Sequence, residues 1–170
     1  MSTATLIPVS EYLSTSYRPD VEYLDGEILE RNVGEWDHGN VQGLVYAYLL
    51  ARRREFGIRL VPELRVQVKP TRFRVPDVCV VLSSHPHEQI LTHPPFLCIE
   101  VLSKDDTMTS MQERIDDYLA FGVPYVWVLD PRLKRAWVFT PGLMREAAGA
   151  LTTENPTIQV PLSEVFVEQE

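Results

Sequence analysis

At 170 residues, with 45% apolar and 24% charged side chains, the chain reads as a single domain over residues 1–170, large enough to bury roughly 70% of the surface its unfolded form exposes. That composition excludes a disulfide-stapled scaffold, and no run approaches the roughly 20 apolar residues of a membrane span. The net charge of -8 argues against a uniformly basic, phosphate-binding surface.

The charge is unevenly spread. Residues 51–74 hold eight basic side chains (Arg52, Arg53, Arg54, Arg59, Arg65, Lys69, Arg72, Arg74) against Glu55 and Glu63, a balance of +6 that leaves -14 for the remainder. Such a run is either a phosphate-binding stripe or a solvated helix end and loop, and the second is the commoner case. Met1 to Ser10 contains no basic residue and no long apolar run, so no secretory signal is expected and the expected compartment is the cytoplasm. Cys79 and Cys98 each lie inside an apolar run and read as small buried hydrophobes, reduced in that compartment.

In chain order, Val9 to Thr15 suggests a short helix with Ser10 as its cap. Glu22 to Glu30 alternates around Asp25-Gly26, the signature of a hairpin. From Trp36 to Phe56, Val41, Leu44, Val45, Tyr48 and Leu49 recur at spacings of three and four; this predicts a helix capped by Asp37 and ended by Gly57. Three strands are expected next: Ile58 to Val68, Val75 to Leu82 and Phe96 to Leu102. The last two are nearly continuously apolar, as in central strands covered on both faces. Met108 to Phe121 returns to helical spacing and stops at Gly122. Tyr125 to Leu129 and Arg135 to Phe139 complete the expected sheet, and Ile158 to Val160 is an expected edge strand. The pattern is that of an α/β (α+β) fold, a mixed β-sheet flanked by helices.

Two charges break these apolar strands. Asp77 interrupts Val75-Pro76-Asp77-Val78-Cys79-Val80-Val81, and Glu100 interrupts Phe96-Leu97-Cys98-Ile99-Glu100-Val101-Leu102. A carboxylate in a covered strand stays ionised only beside a cation, a metal or several donors. Strand alternation puts Asp77 with Cys79 and Glu100 with Cys98. If the two strands pair antiparallel with Asp77 near Glu100, paired residue numbers sum to 177, and Cys79 must oppose Cys98. Two such acids repel each other, and a hard divalent cation, Mg²⁺ or Mn²⁺, relieves the repulsion with Asp77 and Glu100 as ligands. That ion would acidify water and offset charge on a phosphodiester. The competing arrangement pairs each acid with an arginine, for instance Arg74 or Arg114.

Beyond Pro76-Asp77-Val78 and Glu100-Val101-Leu102-Ser103, the chain carries Tyr118, Gly122-Val123-Pro124, Trp127 and Asp130-Pro131. Upstream it has Glu22-Tyr23-Leu24-Asp25-Gly26-Glu27 and His38. This ordered set, over roughly residues 10–140, resembles the Uma-type restriction endonuclease family of bacterial proteins with the PD-(D/E)XK nuclease fold. The resemblance implies a restriction-endonuclease-like mixed sheet flanked by helices, with metal ligands Asp77 and Glu100 and with Glu22 and His38 as accessory groups in the same cleft. It implies a Mg²⁺-dependent DNA endonuclease and, by analogy, a homodimer.

The fold's usual Lys, two residues after the second acid, is Leu102 here. The family's alternative Lys, four residues before the helix Tyr, is Arg114, and Ser110 stands where an Asp is common. Helical spacing places Ser110, Arg114 and Tyr118 on one stripe. Arg114 therefore completes the candidate catalytic set of Asp77, Glu100, Arg114, His38 and Glu22, with Lys69 and Lys104 as substitutes by position. Its guanidinium would clamp a phosphate or close the metal site. The second case leaves two rivals: a catalytically silent nucleic-acid or protein-interaction module, or a structural homodimer.

Overall fold

The computed structural model describes residues 5–32 and 34–169. Its elements in chain order are α1 (Val9–Ser14), β1 (Val21–Leu24), β2 (Glu27–Glu30), α2 (Trp36–Ala51), α3 (Arg53–Phe56), β3 (Ile58–Pro62), β4 (Val66–Lys69), β5 (Arg72–Arg74), β6 (Val78–Leu82), β7 (Leu97–Val101), α4 (Met108–Phe121), β8 (Tyr125–Asp130), β9 (Arg135–Thr140), β10 (Leu143–Glu146), β11 (Ala150–Thr152), β12 (Gln159–Pro161) and α5 (Leu162–Val165). Six strands form the main sheet in the order β10-β9-β8-β7-β6-β3, and four form a second sheet in the order β2-β1-β5-β4. Only β7 and β8 run parallel in the main sheet; α4 supplies the crossover that parallel neighbours require. The architecture is the mixed α/β one expected from the sequence. Among the described residues no helix is long and apolar enough to cross a membrane.

The main sheet is covered on both faces, which explains its continuously apolar strands. On one side α2 lays Val41, Val45 and Leu49 over Val78, Val80, Leu97, Ile99, Trp127 and Leu129. On the other, Met111, Ile115 and Tyr118 of α4 cover Cys79, Cys98, Val126 and Val128. Each fully buried Leu or Ile stabilises this sandwich by about 2 kcal/mol. The register follows the sum rule: Val78 pairs with Ile99, Cys79 with Cys98 and Val80 with Leu97. Both cysteines are buried and free.

Several boundaries differ from the sequence reading. Ile58 to Val68 is two strands in two sheets. Pro62 has no N–H to continue a ladder, and Glu63 turns the chain with a φ of +54°, so β3 stays in the main sheet while β4 joins the second. The expected strand from Val75 begins only at Val78, because Val75-Pro76-Asp77 is the passage from β5 to β6. Neither Ser10 nor Asp37 caps a helix: Pro8 and Glu35 hold those positions, without side-chain caps. The long helix breaks at Arg52, and Gly57, at φ +66°, ends α3. The tail strand β12 pairs with β11 alone and is not an edge of the main sheet. Helix α4 matches its expected bounds; Thr107 caps it and Gly122, at φ +109°, closes it.

Candidate active site

Buried charge is costly unless compensated, and here it is concentrated. Glu22, Arg74, Asp77, Glu100, Ser103 and Asp117 are buried polar groups; five of them are joined through Arg114 and Asp106 in one network, and Asp77, held separately by Arg31 and His38, meets that network at a cavity of about 350 Å³. Asp77, just before β6, and Glu100, near the end of β7, both line this cavity, as do Arg31, His38, Asp106 and Arg114.

Asp77 is held on three sides. Its Oδ2 accepts the Val101 N–H at 2.7 Å, and its Oδ1 accepts Arg31 Nη2 at 2.6 Å. His38 Nε2, from the first turn of α2, stands 3.3 Å from Oδ2. Gln42, one turn further along α2, donates to the Asp77 carbonyl at 3.0 Å and ties the helix to the strand start. Burial alone would lower the His38 pKa, but its hydrogen bond to Asp77 and that carboxylate's charge raise it above the ordinary value.

Glu100 is less well compensated. Tyr118, itself fully buried on α4, donates to Oε1 at 2.6 Å. Oε2 accepts no hydrogen bond among the described residues, and Arg114 Nη1 remains 3.8 Å away. Burial, aided by the charges of Asp77 and Glu22, outweighs Arg114 and Tyr118 and pushes the Glu100 pKa up to about 8.

Arg114 lies between three acids. Its Nη1 donates to Asp106 Oδ1 at 3.2 Å, and its Nε is 3.6 Å from Glu22 Oε2. Asp106 is fixed by the Ser103 N–H at 2.8 Å and the Ser103 hydroxyl at 3.0 Å, and Asn32 donates to that hydroxyl. The neighbouring acids hold the Arg114 guanidinium firmly charged, its pKa raised despite burial.

Glu22 does not line the cavity. Its Oε1 accepts the Val75 N–H at 3.0 Å and its Oε2 accepts Arg74 Nη1 at 2.8 Å, so it reaches the site only through Arg114. Arg74, 1% exposed, bridges Glu22 to Asp117, whose Oδ2 accepts Arg74 Nε at 2.8 Å. Arg74 therefore does not pair with Asp77 or Glu100, but the competing arrangement, an arginine for each acid, is present with Arg31 on Asp77 and Arg114 at 3.8 Å from Glu100. The guanidinium on Asp77 is Arg31, which sequence reasoning missed: it follows the hairpin in an ordinary loop, 46 residues from its partner. Asp106 was missed for the same reason.

The proposed substitutes and the basic stripe resolve differently. Lys69 Nζ comes only within 4.0 Å of Asp117, and Lys104 pairs with Glu35 at 2.6 Å on the surface; neither reaches the two acids. Ser110 does not join Arg114 and Tyr118, because its hydroxyl closes the capping box with Thr107. The 51–74 run is no continuous stripe: Arg72 and Arg74 turn inward to Asp117, and Arg52 lies over the Tyr48 ring. Of the histidines of the Pro-rich loop, His85 and His93 face Glu88 (His93 Nδ1 at 3.1 Å) and His87 faces Gln89; none of them lines the cavity.

Among the described residues no three His, Cys, Asp or Glu side chains converge as a metal cage, which excludes a closed zinc-type site there. Two carboxylates opening on a cavity are nonetheless the donor set that Mg²⁺ uses when it keeps water and phosphate as its other ligands. Oε2 of Glu100 accepts no hydrogen bond among the described residues and has Arg114, at 3.8 Å, as its nearest cation. These residues fit a hard divalent ion, which would share Asp77 with Arg31 or displace it.

A family model described as "Putative restriction endonuclease", Uma2, matches residues 9–168. The chain belongs to the Uma2 family. A crystal structure described as a putative nuclease belonging to DUF820, from Anabaena variabilis, superposes on this Uma2 chain with a TM-score of 0.81 and 22% identity. The match covers 94% of this chain and 97% of that one, so the two share a fold along nearly their whole length. No curated protein matches the chain.

Proposed function

We propose that this Uma2 protein is a Mg²⁺- or Mn²⁺-dependent endonuclease that hydrolyses phosphodiester bonds in DNA. The observation that carries the reading is the convergence of Asp77, just before β6, and Glu100, in β7, on one cavity also lined by Arg31, Arg114 and His38. A family described as "Putative restriction endonuclease" and a fold shared with a protein described as "a putative nuclease" support it.

Asp77 and Glu100 would hold the ion, which supplies, when bound, charge neutralisation at the phosphodiester and acidification of water. The Val101 N–H fixes the orientation of Asp77, and Tyr118 that of Glu100. Arg114 and Arg31 offset the charge that the phosphate gains in the transition state, the role of preorganised cations in a dry site. His38 Nε2 faces Asp77, so that nitrogen carries a proton and holds the carboxylate; it is not free to accept one. Glu22, with its oxygens engaged by Arg74, Val75 and Arg114, positions Arg114. A homodimer would present two such cavities to opposite strands, and sedimentation would detect it.

Plasmid nicking with Mg²⁺ and with Mn²⁺, together with calorimetric titration of each ion, tests the reading. Wild type should bind the ion and nick, and Asp77→Asn and Glu100→Gln should do neither. One observation favours a second reading: Arg31 occupies Asp77 at 2.6 Å. Absence of both metal heat and nicking in wild type would make the protein a catalytically silent module of the same fold.

A further inference from the structure

A second cavity, of about 400 Å³, adjoins the first: Asp20 and Glu63 line both. Its volume lies within the range of roughly 300–1,000 Å³ that holds small organic ligands. Two features distinguish it from a surface crevice.

The first is an aromatic stack with an open end. Tyr23 stacks on Tyr12 at 5.0 Å and 26°, and Tyr12 on Tyr17 at 5.9 Å and 29°. Tyr12 and Tyr23 are buried, whereas Tyr17 is half-buried, lines the cavity and carries no further ring among the described residues. The second is a pair of arginines without a salt bridge among the described residues. Arg31, Arg72, Arg74 and Arg114 are all ion-paired. Arg18 and Arg65 line this cavity and make no salt bridge among the described residues; the Arg65 guanidinium instead lies 5.8 Å from the Tyr12 ring centre.

A flat ring surface flanked by free guanidiniums suits a ligand with an aromatic plane and an anionic group, and a nucleotide has both. A base inside a duplex is already stacked on both sides and cannot enter a cavity, so the nucleotide must be unpaired or extruded. Asp20 and Glu63, which line both cavities, repel phosphate, which places the bound nucleotide's phosphate toward Arg18 and Arg65. We infer that this cavity is a subsite for one unstacked nucleotide of the nucleic-acid substrate, adjacent to the scissile phosphate, with its base on Tyr17. The inference rests on the nuclease reading above and deepens it: the protein prefers single-stranded or locally opened substrate.

The test is fluorescence anisotropy in chelator, so that no cleavage occurs. The probe is a labelled single-stranded oligodeoxynucleotide of about ten bases, within the site sizes of single-strand grooves, compared with the same sequence as a blunt duplex. Wild type should bind the single strand more tightly. Tyr17→Ala, Arg65→Ala and the exposed-site variant Arg18→Ala should each weaken single-strand binding about tenfold, as loss of one base–aromatic stack or phosphate contact does. Tyr17→Phe should stay within about twofold of wild type, since the stacking plane is kept. Duplex affinity should move far less in every variant. Unchanged single-strand affinity in Tyr17→Ala, or an equal loss for single strand and duplex, overturns the subsite. Wild-type nicking with Mg²⁺, run in parallel, separates the failures: nicking with unchanged Tyr17→Ala binding refutes the subsite alone, and neither nicking nor binding by wild type refutes both readings.

Discussion

The Glu100 carboxyl should make the metal-free protein less stable as the pH rises, and replacing it with its neutral isostere should remove that loss. Its pKa stands at about 8 against an ordinary 4.5, and each tenfold change in proton affinity corresponds to about 1.4 kcal/mol. A carboxyl raised in the folded state binds its proton more tightly there than in the unfolded chain. Stability therefore falls as pH climbs from the unfolded value through about 8, to a ceiling of about 5 kcal/mol. The balance already includes the favourable pull of Arg114 and Tyr118, so it is the net cost of keeping Glu100 charged with Arg114 as its nearest cation. In Glu100→Gln the amide oxygen still accepts the Tyr118 hydroxyl, and no charge is buried. Thermal melting in chelator should show the two proteins converging below the ordinary carboxyl range and separating up to about pH 9. There the variant should melt higher by around 10 °C, given about 2–4 °C per kcal/mol for a chain of this size. Mg²⁺ should raise the wild-type melting temperature and leave the variant unchanged. A wild-type curve parallel to that of Glu100→Gln across this range would refute the claim that Glu100 is an undercompensated charge.

Arg114→Lys keeps a cation among Glu22, Glu100 and Asp106 while removing the fork. If the guanidinium obstructs the ion, nicking should rise at least severalfold, and equal or lower activity would assign the clamp to Arg114 itself. Arg74→Ala strands Glu22 and Asp117 without their buried partner. It should cost about 3 kcal/mol in denaturant unfolding, and a loss under about 1 kcal/mol would show that the network relaxes. In metal-free protein the His38 ring should titrate above its ordinary value of about 6.5. Its stabilising contribution, full below that value, should disappear as pH rises through the folded pKa; histidine NMR should also find the pKa lowered in Asp77→Asn. Gly122→Ala forces a side chain into φ +109° with its Cβ 3.2 Å from Pro94 Cγ, and should lower stability by about 1 kcal/mol or more on chemical denaturation.

The two long helices, the central strands and the two acids were legible from the sequence because their signals are local, whereas the short elements β5, β10, β11 and α5 were not read. Side-chain direction repeats with a fixed period along a helix or strand, so apolar spacing marked α4 to its end residues, and parity together with the supposed antiparallel pairing of Asp77 near Glu100 set Cys79 opposite Cys98. Charge inside an apolar strand singled out Asp77 and Glu100 by its cost. The tertiary structure decided which cation answers which acid. Arg31 reaches Asp77 across 46 residues, Arg74 serves Glu22 and Asp117, and Ser110 turns to its own helix cap. It also divided Ile58 to Val68 between two sheets at Glu63, which lines both cavities. Long flexible cations carry no period, and their pairing depends on distances through space that exist only once the sheets have come together.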